Sequence, residues 1–295
     1  MRAVFAMLLS AMILPAADFP IDHVTVAGSD IRKLQAGLAA IGIPSLYGGA
    51  HLNNTTEMAL APLPDGAYLE LMALRQNADP RLAGQHEWAR FLKGDAGPCA
   101  WALRERDLPA EIRRLKAAGI PVSEPVAGGR ERPDGVRLDW QTSDVGDGVR
   151  GAFFPFLIHD LTSRDLRAFP QGKPSDGDFR GISRVVIAVR DLDAAIARYR
   201  RAYALPEPLR ESDRGFGAHL ATFAGAPVVL AQPLDSASWL SLRLDRFGES
   251  PCAFVLAAAR PERYRAQSRT SWFGVEISWF DTEKLGWHLG FEKAM

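Results

Sequence analysis

The stretch PIDHVTVAGSDIRKLQAGLAAIGI, Pro20 to Ile43, decides the fold. Its first part alternates with period two. Ile21, His23 and Thr25 fall on one face of an extended strand, and Asp22, Val24 and Val26 fall on the other. Asp30 then stands where a helix needs an N-cap. Ile31, Leu34, Leu38 and Ile41 form one apolar stripe, and Gly42 ends it. A strand therefore runs directly into a helix and carries a histidine beside apolar side chains. An imidazole held there needs a hydrogen-bond partner or a metal.

The pattern returns at GISRVVIAVRDLDAAIARYRRAYAL, Gly181 to Leu205, where Ile182 and Asp191 follow Ile21 and Asp30 by 161 positions. Between the two, PCAWALRERDLPAEIRRLKAAGIPV (Pro98–Val122) repeats strand, Asp107 cap, helix and Gly119 stop. A fourth start, PCAFVL, echoes PCAWAL and sets Cys99 and Cys252 at matching strand starts, where both read as packing residues. The ARPERYRAQ that follows is short and polar, so its helix is reduced or lost. After the first helix come the short strand SLYGG, the polar loop HLNNTTE, and strands Glu57–Leu63 and Ala67–Leu74 around a PDG turn. Each unit is strand–helix–strand–strand–strand, and four of them form a repeat architecture. The chain divides into residues 18–163 and 181–295, joined over 164–180 by a linker rich in Pro, Gly, Ser and charge.

Composition supports a large core, with 47% hydrophobic residues in 295. Net charge is zero, with 35 basic and 35 acidic side chains and no basic stripe. That argues against nucleic acid and against an acidic membrane surface as partners, and the expected partner is a small molecule. A monomer or a homodimer fits. Residues 1–17, MRAVFAMLLSAMILPAA, have the order of a secretory signal peptide: a basic start, an apolar run too short to span a bilayer, then small residues. Cleavage there implies a periplasmic or secreted protein. An apolar tail fits the same residues and implies a cytoplasmic one.

IDHVTVAGSD, followed by YGGAHLNNTTEMALAPLPDGAYLELMAL, resembles the glyoxalase-like branch of the vicinal oxygen chelate superfamily. The resemblance is strongest over 20–75 and weakest over 250–295. It implies an α+β fold in which βαβββ modules pair into two incomplete curved-sheet barrels, around a divalent metal such as Zn, Mn, Ni or Fe. The family's ligands are a His in the first strand and a Glu in the last strand of a module, which are His23 and Glu70 here. Its Gly-Thr-His-Asn pattern matches Thr55, Thr56, Glu57 and Met58, so Glu57 takes the histidine's place as a third ligand. His51 matches the histidine of the loop. The implied activity is that of a metal-dependent lyase, isomerase or dioxygenase on a small oxygen-bearing substrate. A noncatalytic small-molecule binding protein is the alternative, since the superfamily contains both.

The residues carry their own reading. A histidine with two carboxylates is a sound set for a divalent ion, and a buried His23–Glu70 hydrogen bond without metal satisfies the same groups. His51 and Glu70 are the candidates for acid–base work. His159, Asn54 (with Asn53), Trp101 and Phe156 are candidates for the cavity wall. In the third module Arg184 stands where the first has His23, and the strand matching Glu70 offers Val229 or Leu230. That copy has no comparable site, and the second half is degenerate.

Overall fold

The computed structural model describes residues 19–52, 54–173 and 177–294. The signal-peptide expectation and Asn53 lie outside the described residues. Strand β1 (Ile21–Gly28) leads into α1 (Ile31–Ala40), then β2 (Leu46–Ala50), β3 (Thr56–Pro62) and β4 (Tyr68–Leu74). Two short helices, α2 (Pro80–Gln85) and α3 (Ala89–Lys93), precede the second module: β5 (Gly97–Arg104), α4 (Leu108–Ala117), β6 (Val126–Glu131), β7 (Arg137–Ser143) and β8 (Phe156–Asp160). After α5 (Arg164–Ala168) the third runs through β9 (Phe179–Ala188), α6 (Leu192–Tyr203), β10 (Leu209–Asp213), β11 (Ala218–Thr222) and β12 (Val228–Pro233). Helix α7 (Trp239–Phe247) leads to β13 (Ser250–Ala258), β14 (Ser268–Trp272), β15 (Val275–Trp279), α8 (Thr282–Leu285) and β16 (His288–Lys293).

The helix starts follow the sequence. Asp30 accepts from the Arg32 and Lys33 amides, Asp107 from Ala110, and Asp191 from Ala194. In the fourth module only a single 3-10 turn, Pro261–Arg263, stands where the others have a helix.

The strands form two eight-stranded sheets with the same order: β2-β3-β4-β1-β5-β8-β7-β6 and β10-β11-β12-β9-β13-β16-β15-β14. In each, the first strands of two modules pair antiparallel at the centre, β1 with β5 and β9 with β13, while the first and last strands of a module pair in parallel. Two βαβββ modules thus curl into one nearly closed sheet. The first closes where β2 and β6 approach, through the bridge between His51 and Arg130. A glycine permits that approach: a Cβ at Gly49 would stand 2.9 Å from the Glu131 carbonyl.

The helices and outer sheet faces of both halves share one core. Val24, Val26, Leu38, Trp101, Leu115, Tyr199 and Phe254 belong to it. Cross-links between the halves include Tyr199 Oη donating to the Phe153 carbonyl at 2.5 Å and Arg114 donating to that of Ala202 at 2.8 Å. Cys99 and Cys252 are both free and buried. Among the described residues no helix is long and apolar enough to cross a membrane.

The stretch read as a linker does more than connect. It opens with α5, whose Arg164 and Arg167 turn back onto β1.

Candidate functional site

A cavity of about 280 Å³ lies on the concave face of the first sheet. One part is apolar, with Met58, Met72, Trp88 and Phe156, and the other carries His23, His51, Glu70 and Arg130.

Its centre is built by a fault in β1. Ile21 pairs with Leu103 and His23 with the adjacent Ala102, so Asp22 is an extra residue on one strand. This bulge breaks the period-two pattern expected of the strand, in the way bulges re-aim side chains near sites. Ile21 joins the outer core with Val24 and Val26, while His23 faces the cavity. The Asp22 carboxylate comes to 2.6 Å from His23 Nδ1.

Asp22 is wholly buried and held from the other side by Arg167, whose Nη1 and Nη2 both donate to it at 2.8 Å, and by Arg164. Burial alone would raise its pKa, but the Arg167 charge and the hydrogen bonds from His23 and Arg167 hold it well below the usual carboxylate range. An ionised carboxylate only accepts, so His23 Nδ1 carries the hydrogen. In the neutral ring Nε2 is then a bare lone pair.

That lone pair faces Glu70. His23 Nε2 lies 3.7 Å from Glu70 Oε2, and His51 Nε2 lies 3.7 Å from Oε1 of the same carboxylate. Glu70 sits on β4 opposite Thr25, whose hydroxyl donates to Oε2 at 2.9 Å. His51 Nδ1 is 2.8 Å from the Thr56 hydroxyl. Burial would raise the Glu70 carboxyl; with the two rings in their protonated form, the hydrogen bond and charge of His51, the charge of His23 and the Thr25 hydroxyl reverse this and lower it to about 2. A carboxylate that weak as a base suits a ligand better than a general base at neutral pH.

The sequence candidates divide. His23, His51, Glu70 and Phe156 come together in the cavity. Glu57 does not: it alternates with Thr56 and Met58, points to the opposite face of β3, and accepts from Tyr47 Oη at 2.9 Å. Trp101 is buried in the core on the far side of β5. His159 faces away from the cavity and donates through Nδ1 to the Glu105 carbonyl at 2.8 Å. Asn54 is exposed, in a left-handed turn after His51. The three strand residues, Glu57, Trp101 and His159, share a cause, since a one-residue change of phase in a strand reverses every side chain. Sequence reasoning missed Asp22, Arg130, Arg164 and Arg167. Only the acidic residue beside His23 offered a signal, because Arg164 and Arg167 arrive from the segment read as a linker and Arg130 from a stretch to which no element was assigned.

The described residues contain no closed cluster of three His, Cys, Asp or Glu side chains around a metal position. What exists is one carboxylate flanked by two imidazoles whose Nε2 atoms face it. The glyoxalase-like domain model matches residues 21–203, more than half of the chain.

The chain belongs to the glyoxalase-like domain family.

With it comes membership of the vicinal oxygen chelate superfamily. The glyoxalase-like chain is similar throughout to two solved structures. A hypothetical protein from Staphylococcus aureus shares 15% identity at a TM-score of 0.64, with 93% of this chain and 99% of that one covered. A mutant of 4-hydroxymandelate synthase from Streptomyces coelicolor shares 12% at 0.58, with 95% and 93% covered. At these identities the likeness is one of fold. Methylmalonyl-CoA epimerase from Mycobacterium tuberculosis matches over 41% of this chain and 92% of its own, at 20% identity and a TM-score of 0.36. No curated protein matches the chain.

Proposed function

We propose that the first sheet is the active centre of a metal-dependent enzyme of glyoxalase type, acting on a small oxygen-bearing substrate. His23, His51 and Glu70 would hold a divalent cation as a two-histidine, one-carboxylate set, with His51 taking the role expected of Glu57.

The observation that carries this reading is the fixed tautomer of His23. Asp22 accepts the Nδ1 hydrogen, so a neutral His23 turns a lone pair toward a carboxylate 3.7 Å away. Two electron-rich groups face each other in a buried space, and a hydrogen-bond donor or a cation between them removes the conflict. A proton serves, giving a His–Glu ion pair; a divalent metal serves both imidazoles and the carboxylate at once. The partner on the far side of each ring is the arrangement that orients metal-binding histidines.

A bound divalent ion would supply Lewis-acid polarisation of a substrate oxygen. The chain's own residues do the rest. Arg167 and Arg164 hold Asp22, Asp22 holds the His23 ring, Thr56 orients His51, and Thr25 orients Glu70. The apolar wall of Met58, Met72, Trp88 and Phe156 excludes water, which strengthens every charge interaction inside.

Titration of chelator-treated protein with Co²⁺ tests the reading. Visible absorption should develop and saturate at one equivalent, be lost in H51Q and E70Q, and survive in E57Q. Absence of any cobalt band in folded wild-type protein would overturn it. A metal-free binding protein is the outcome that would then stand.

A further inference from the structure

Arg130 is the one cavity guanidinium whose charge is not already spoken for among the described residues. It lies on β6 at the seam with β2 and is only 2% exposed. Nη1 donates to the Gly48 carbonyl at 2.6 Å, its only hydrogen bond among the described residues, and no described carboxylate lies within ion-pair distance. Arg130 lines the cavity beside His51 and Glu70.

The other two arginines of the cavity are committed. Arg167 binds Asp22, Asp160 and Tyr68, and Arg150 pairs with Asp144 and Glu87. Burial lowers the proton affinity of Arg130, and the neighbouring Tyr68 and Glu70 only partly restore it. A buried cation without a contact partner is costly unless something else brings an anion to it. Glu70 belongs to the two imidazoles and Thr25.

We propose that Arg130 binds the carboxylate of the substrate, and that the cavity takes a small monocarboxylate with an apolar, aromatic-sized body. With Nη1 on the Gly48 carbonyl, the planar guanidinium has further N–H donors in a fixed fork, which matches a carboxylate. The body lies against Met58, Met72, Trp88, Trp140 and Phe156. A doubly charged phosphate fits less well, because one uncommitted positive charge shares the cavity with the Glu70 anion. Gly128 lets the Trp140 ring of this wall lie directly against β6, since a Cβ there would strike it. The proposal rests on the cavity of the reading above and does not require its cation.

Two probes of one shape and different charge test it: phenylacetate and phenylacetamide, titrated into chelator-treated protein and followed by the fluorescence of Trp88 and Trp140. Wild-type protein should bind the carboxylate at least about tenfold more tightly than the amide, the worth of a charge-assisted hydrogen-bond pair. R130Q should remove that preference and leave the amide affinity as it was. R130K, which keeps the charge and loses the planar edge, should retain part of it and decides the matter if R130Q does not fold.

Equal affinity for the two probes, a preference that survives in R130Q, saturable binding of neither, or displacement of phenylacetate by lower concentrations of inorganic phosphate would each overturn the proposal. Loss of cobalt binding with the carboxylate preference intact would remove the metal reading and leave this one. The converse would remove this one alone.

Discussion

The two sheets share one strand order and a bulge at the same place in their first strands, and use them differently. In the first, the bulge at Asp22 turns a carboxylate behind His23, and the concave face stays open and charged. In the second, Ile182 and Arg184 pair with adjacent residues of β13, which makes Ser183 the extra residue. Ser183 Oγ donates to the Val255 carbonyl, and Arg184 is taken up by Glu292 at 2.8 Å. Thr25 faces Glu70 in one copy; Val186 faces Val229 in the other. Phe216, Leu240, Leu244, Trp272 and Trp279 pack the second concave face into a core of its own. The scaffold therefore requires the bulge and does not require the histidine, so the polar set in the first sheet is an addition to the fold.

The largest expected effect comes from removing the support behind His23. R167M leaves the buried Asp22 and the partly buried Asp160 without their main partner and should cost about 3–5 kcal/mol in urea unfolding. Replacing both members of the second sheet's pair, as R184M/E292L, should change stability by less than about 1 kcal/mol, because two well-packed apolar groups substitute for an isolated pair. A similar cost at both places would erase the distinction between the sheets.

An effect of similar size distinguishes the second sheet by pH. His288 stacks on Trp239 at 4.0 Å; burial, with Arg243 adding to it, pushes its pKa from 6.5 down to about 4. Between those values the unfolded chain binds a proton that the folded chain refuses. Stability is thus intact above pH 6.5 and falls on acidification toward pH 4, by up to about 3 kcal/mol. H288F should flatten that slope in urea titrations across the range, and an unchanged slope would contradict the assignment.

The smallest effect makes the first sheet resemble the second at one position. T25V removes the hydroxyl that orients Glu70 and should weaken divalent-metal affinity about tenfold by calorimetry, as loss of a supporting hydrogen bond does. V186T, its counterpart, should change nothing in metal binding.

Much of the fold was legible because its signals are local. The Asp caps at 30, 107 and 191 and the apolar stripes after them need only sequence neighbours. His23, Glu70 and His51 were singled out by the resemblance, and the fold brings all three to one cavity. Glu57, Trp101 and His159 were misplaced because strand phase depends on where pairing starts and on bulges, which partner strands impose. Arg130 and Arg167 were invisible for another reason. The first approaches the site only when β2 and β6 close the sheet, and the second lies 145 positions from the Asp22 it neutralises.

Metal content of the whole protein tests the central claim most directly. Purified chain loaded with Zn²⁺ and gel-filtered should carry one zinc per chain by mass spectrometry. H23A/E70A should carry none, while R184A/E292A should still carry one. Zinc retained at full stoichiometry in H23A/E70A, or no zinc held by folded wild-type protein, would contradict the account.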